Sequence, residues 1–131
     1  MGLPVPPGFI ITTEACRAYL ENGSPPAGME TEVSEHLAAL EKTMGRTLGQ
    51  PDNPLLVSVR SGGKFSMPGM MDSVLNVGLN DESVLGFAKQ SGNDRLAFDS
   101  YRRLIQMFGK TVLGVDGSLF EGALHAAKEA K

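Results

Sequence analysis

The residues best suited to chemistry lie in one stretch, VSVRSGGKFSMPGMMDSVLN, residues 57–76. Its residue types suit a polyanion. Arg60 closes a short apolar run, where a side chain reaches the rim of a sheet; its guanidinium is permanently charged and forks onto phosphate oxygens. Ser61, Gly62 and Gly63 follow, and the two glycines allow backbone N–H groups to crowd around an anion. Lys64 adds a mobile charge. Ser66, Met67, Pro68, Gly69, Met70, Met71 and Asp72 complete the loop: Pro68–Gly69 stiffens the turn back, and the polarizable methionines suit a purine pocket or a closing lid. Asp72 is the only carboxylate in the loop and reads as a capping or arginine-orienting group, since one ligand does not make a metal site. The stretch is not a Walker A loop, which needs Gly where Ser58 stands and Ser or Thr where Phe65 stands, and it holds no G-x-G-x-x-G fingerprint. Spacing alone favours a plainer reading, a glycine-rich hairpin loop with a surface arginine and a partly packed methionine cluster.

The elements that must position this loop are legible on both sides. Residues 55–60 (LLVSVR) alternate as a strand with Val57 and Val59 toward the core, and residues 73–77 form a return strand. Upstream, Phe9–Ile11 reads as a short strand and Thr13 as the cap of a helix ending at Asn22–Gly23. Val33, Leu37, Leu40, Met44 and Leu48 make one helix face over residues 30–48, stopped by Gly49 and Pro51. Downstream, Asn80–Asp81 caps a helix to about Lys89 with Val84, Leu85 and Ala88 inward. Asn93 or Asp94 caps a longer one whose apolar face is Ala97, Tyr101, Leu104, Ile105, Phe108 and Val112. Ser118 with Glu121 reads as a capping box for a last helix carrying Phe120 and Leu124. The chain divides into an α/β part, residues 1–79, and a helical part, residues 80–131.

Composition bounds the rest. The 131 residues suffice for one domain or a piece of one, with a core that needs no staples. Twelve Lys and Arg against 15 Asp and Glu give a net charge of −3, which argues against unspecific nucleic-acid binding. One cysteine, Cys16, excludes an internal disulfide and a cysteine-rich zinc site. No apolar run reaches the roughly 20 residues of a membrane span, and no basic leader precedes the first apolar residues, so a cytoplasmic setting without membrane contact is expected. His36, His125 and Cys16 read as surface or packing residues. Arg102 and Arg103 read first as partners of Asp99 on their own helix. The glutamates at 30, 32, 35 and 41 read as a solvated face.

The segment LLVSVRSGGKFSMPGMMDSVLNVGLND resembles the ATP-binding region of pyruvate, phosphate dikinases. GLPVPPGFIITTEAC and DSYRRLIQMFGKTV resemble neighbouring parts of the same region. The likeness covers nearly the whole chain and is weakest over residues 23–50 and after 116. It implies an α+β fold: a partial ATP-grasp lobe with a short β-sheet and Gly-rich loop, followed by a helical subdomain. It implies an enzyme that interconverts ATP, phosphate and pyruvate with AMP, pyrophosphate and phosphoenolpyruvate through a phosphohistidine, using ATP with Mg2+. Carried onto this sequence, Arg60 contacts the transferring phosphates and the loop from Ser61 to Asp72 covers the triphosphate. Gly63 departs from the alanine common at its position. The resemblance places the metal ligands outside this chain. It makes the remaining ATP-grasp lobe and the phosphohistidine domain the partners, in a homo-oligomeric parent. A fragment of this kind is expected to be inactive alone and to expose apolar faces. The alternative is a free-standing nucleotide- or phosphate-binding module without catalysis.

Overall fold

The computed structural model describes residues 2–62 and 73–130. They form two units, one ending at Thr47 and one beginning at Leu48.

The first unit holds two helices, α1 (Thr13–Asn22) and α2 (Met29–Met44). Thr12, not Thr13, occupies the cap position of α1, and its side chain makes no capping bond. Residues 9–11 form no strand; no partner strand lies beside them among the described residues, and an isolated extended run leaves its backbone groups to water. Instead, the Phe9 ring stacks on His36, with centroids 5.6 Å apart. Helix α2 ends earlier than its apolar spacing predicts. Gly45 takes the left-handed conformation at φ 65° and its N–H closes on the Glu41 carbonyl, so Leu48 falls outside the helix. Val33, Leu37 and Leu40 are half-buried on the expected face. None of the described residues up to Thr47 is fully buried.

The second unit holds the described buried core. Strands β1 (Val57–Val59) and β2 (Val74–Val77) pair antiparallel, as the hairpin reading expects, with Leu55 just upstream in an isolated parallel bridge to Leu48. Val57 stands opposite Val77 and Val59 opposite Val74. Two residues of β2, Leu75 and Asn76, therefore face the single Ser58: a β-bulge, marked by Asn76 at φ 60°. Three helices follow: α3 (Ser83–Ser91), α4 (Asp94–Thr111) and α5 (Gly117–Glu129). Helix α4 packs against β2 and α3. Val74, Leu79 and Leu104 form one buried cluster, and Val84, Ala88 and Ala97 another; Phe87 and Tyr101 touch both.

This layering corrects several inward assignments. Val59 is 58% exposed, while α4 packs chiefly against β2. Leu85 is 53% exposed, on the side of α3 away from Val84 and Ala88. Ile105 and Phe108 on α4, and Val112 just past its end, are exposed, although Ala97 and Leu104 are buried as their spacing requires. Asn93 caps α4 by accepting the Leu96 N–H at 2.9 Å. The last helix starts differently: Asp116 is its cap, accepting both the Ser118 N–H at 2.9 Å and the Ser118 hydroxyl at 2.8 Å. A carboxylate two residues earlier outcompetes the expected box because it takes both donors of Ser118 and adds charge at the positive helix end. The hydrogen bonds hold the Asp116 carboxyl below its ordinary range.

Two contacts fix α3 against the chain on either side of the sheet. Ser83 is fully buried; its hydroxyl donates to the Gly78 carbonyl at 2.9 Å and accepts the Asn80 N–H at 2.8 Å. Gly86 lies so close to Pro51 that a Cβ there would run into the Pro51 carbonyl.

Candidate phosphate-binding site

The short antiparallel pair is built by local chemistry. Val57, Val59, Val74 and Val77 are β-branched and suit a pleated surface. Pro54, fully buried, sets the chain into extended geometry before Leu55. Arg60 follows β1 directly and is exposed, as its place at a strand end predicts. Its Nε donates to the Ser58 hydroxyl at 3.3 Å. Ser61 and Gly62 continue without regular structure and are exposed. Gly63, Lys64, Ser66, Met67, Pro68, Gly69, Met70, Met71 and Asp72 lie outside the described residues.

A cleft of about 530 Å³ opens beside the bulge, between β2 and α4. Leu75, Leu96 and Met107 supply apolar wall, while Asn76, Ser100 and Gln106 supply neutral polar groups. Its charged side is a three-residue cluster. Arg102 donates from Nε and Nη2 to Asp99 Oδ1 at 3.0 and 2.8 Å, and from Nη1 to Gln106 Oε1 at 2.9 Å. Arg103 Nε donates to Asp99 Oδ2 at 2.8 Å. This is the pairing expected from helical spacing. The Arg102 hydrogen bond is the main reason the Asp99 carboxyl sits below its ordinary range; Arg103 adds to the effect, and partial desolvation opposes it. The cluster keeps one net positive charge. Neither the cleft nor the bulge is visible in the sequence. The one available signal is Asn76, a residue that tolerates positive φ, inside an otherwise apolar strand.

The remaining candidates stay peripheral. His125 lies 3.4 Å from Glu129 on an exposed face of α5, and Cys16 is exposed and free. Among the described residues no three His, Cys, Asp or Glu side chains gather to hold a metal ion. No described helix is long and apolar enough to cross a membrane.

No family model matches the chain. Curated relatives do, and all those compared are phosphotransferase enzymes. The chain is 56% identical over 128 residues to pyruvate, phosphate dikinase of Giardia intestinalis, and 54% identical over 129 residues to that of Rhizobium meliloti. The match covers 98% of this chain and 14% of each of those enzymes. A chloroplastic form from Mesembryanthemum crystallinum is 54% identical over 132 residues, covering all of the chain and again 14% of the enzyme. The sequence family of this segment is that of pyruvate, phosphate dikinase. The chain spans about one-seventh of the length of these relatives.

Proposed function

We propose that this segment forms part of the nucleotide-binding lobe of a pyruvate, phosphate dikinase, with Arg60 as its phosphate ligand. The whole enzyme would move a phosphoryl group from ATP to a carrier histidine, and on to pyruvate, with AMP, pyrophosphate and phosphoenolpyruvate as products. The identity to enzymes of that name supports this reading of the whole. The placement of Arg60 carries the reading of the site. It stands at the free end of β1, and the loop it opens is Gly-rich in sequence. Among the described residues its terminal Nη atoms meet no acceptor.

Phosphoryl transfer asks little covalent chemistry of a protein. Most of the work is holding the phosphates in line and stabilising their charge. Arg60 would supply a fixed positive charge and paired N–H donors. The backbone N–H groups of Ser61, Gly62 and Gly63, with Lys64, would add further donors. Ser66, Met67, Pro68, Gly69, Met70, Met71 and Asp72 would close over the nucleotide. Mg2+ would arrive with ATP, held by ligands from other parts of the enzyme. The rest of the ATP-grasp lobe and the phosphohistidine domain would be the partners, in a cytoplasmic, homo-oligomeric parent.

The test is a titration of this chain with Mg·ATP, followed by calorimetry and NMR, with Arg60→Ala alongside. Shifts confined to Ser61–Asp72 and lost in Arg60→Ala support the assignment. A folded chain that gives no shift refutes a phosphate site in this segment by itself.

A further inference from the structure

We propose that Ser58 is the positioning residue for Arg60: its hydroxyl takes the guanidinium by Nε, so that the Nη1–Nη2 edge is the one presented to phosphate oxygens. The inference rests on the reading of Arg60 as a phosphate ligand and adds to it the residue that sets its geometry.

A guanidinium offers two bidentate edges, Nε with one Nη, or Nη1 with Nη2. The 3.3 Å bond from Nε to Ser58 Oγ occupies the first. The second keeps both of its N–H donors, with no acceptor among the described residues. The strand period puts residues 58 and 60 on one face, so the contact follows from the backbone of β1 without a distant partner. The bulge falls at the same place. Leu75 and Asn76 stand opposite Ser58.

The chemistry of the restraint matters as much as its geometry. Arg102 and Arg103 are held by the Asp99 carboxylate, which cancels one of their two charges. Arg60 is held by a neutral hydroxyl, which narrows its rotamers and leaves its charge whole. An exposed arginine loses much rotamer freedom when it grips a ligand, and a restraint made in advance reduces that loss.

The experiment uses this chain with its arginine side chains observed by 15N NMR, and Mg·ATP as the probe. The variants are Ser58→Ala, Ser58→Thr and Arg60→Ala. Ser58 is exposed, so its substitution leaves the core untouched. The expected result has four parts. The Arg60 Nε–H exchanges with water faster in Ser58→Ala than in the parent chain. Affinity for Mg·ATP falls roughly threefold to tenfold in Ser58→Ala, the size of one hydrogen bond. Ser58→Thr restores both. On binding, the Nη signals of the parent chain shift more than its Nε signal. If Arg60→Ala abolishes binding but Ser58→Ala changes neither affinity nor Nε–H exchange, the positioning role is overturned and the phosphate-ligand reading survives. If Arg60→Ala binds as well as the parent, or the parent gives no response, both are overturned.

Discussion

Tyr101 Oη donates a 2.7 Å hydrogen bond to Asp81 Oδ1, and this bond ties the middle of α4 to the turn that opens α3. The ring of Tyr101 also touches both buried clusters, so one side chain joins core packing to a polar latch at the surface.

Removing the latch tests its weight. Tyr101→Phe keeps the ring and loses the hydroxyl, and is expected to destabilise the second unit by about 1 kcal/mol. The bond to Asp81 is the main reason the Tyr101 hydroxyl titrates above its ordinary value of 10.0. A group whose pKa is raised by folding stabilises fully below its unfolded value and loses that contribution as pH rises through the folded one. Stability of the parent chain should therefore fall above pH 10, and Tyr101→Phe should flatten that fall. Urea denaturation at pH 8 and at pH values above 10 measures both.

Asn80 joins three pieces of chain. Its Oδ1 accepts the N–H groups of Glu82 and Ser83 at 2.9 and 2.7 Å, and its Nδ2 donates to the Gly49 carbonyl at 3.0 Å. Asn80→Ala loses every one of these bonds and should cost about 2 kcal/mol. Asn80→Asp keeps the acceptor and loses the donor, so it should cost about half as much. Equal losses in the two variants, read from thermal unfolding, would show that only the link to Gly49 matters.

Gly86→Ala sets two effects against each other. Alanine favours a helix over glycine by about 1 kcal/mol. Its Cβ would collide with the Pro51 carbonyl, and overpacking against backbone costs about 1–3 kcal/mol or more. Backbone cannot swing aside as a side chain can, so the collision should win and the variant should be destabilised by about 2 kcal/mol. A variant more stable than the parent would show that the 51–52 turn yields.

Asp99 should titrate below its ordinary value of 3.8, held there first by Arg102. A carboxyl lowered by folding stabilises above its unfolded pKa and loses that contribution as pH falls through the folded value. A carboxyl-detected NMR titration should give a midpoint below 3.8 that rises in Arg102→Ala and rises less in Arg103→Ala. The group is exposed, so high salt should shrink the differences.

Local signals carried much of this fold. The 3.6-residue spacing of Ala97, Tyr101 and Leu104, with Asn93 ahead of them, is enough to place α4 and its cap, because both depend on residues within a few positions. The valines of β1 and β2 flank a stretch rich in glycine and proline, which identifies an antiparallel pair for the same reason. The resemblance of residues 55–81 to pyruvate, phosphate dikinases was equally a property of the linear order, and the end-to-end match bears out the family. Arg60 was readable as a strand-end arginine, and the structure leaves it exposed there.

What the order of residues left open depended on distant neighbours. Leu48 continues the apolar spacing of α2, yet Gly45 ends that helix and Leu48 pairs with Leu55 instead. Val59 alternates like a core residue but is exposed, while α4 packs chiefly over β2. The bulge opposite Ser58, and the cleft beside it that Asn76 shares with Asp99 and Arg102, arise only when β1, β2 and α4 meet. Helix and strand type follow from short-range sterics and capping. The side of an element that is buried, and the direction of a charged side chain, follow from packing between residues far apart in the chain, which periodicity does not encode.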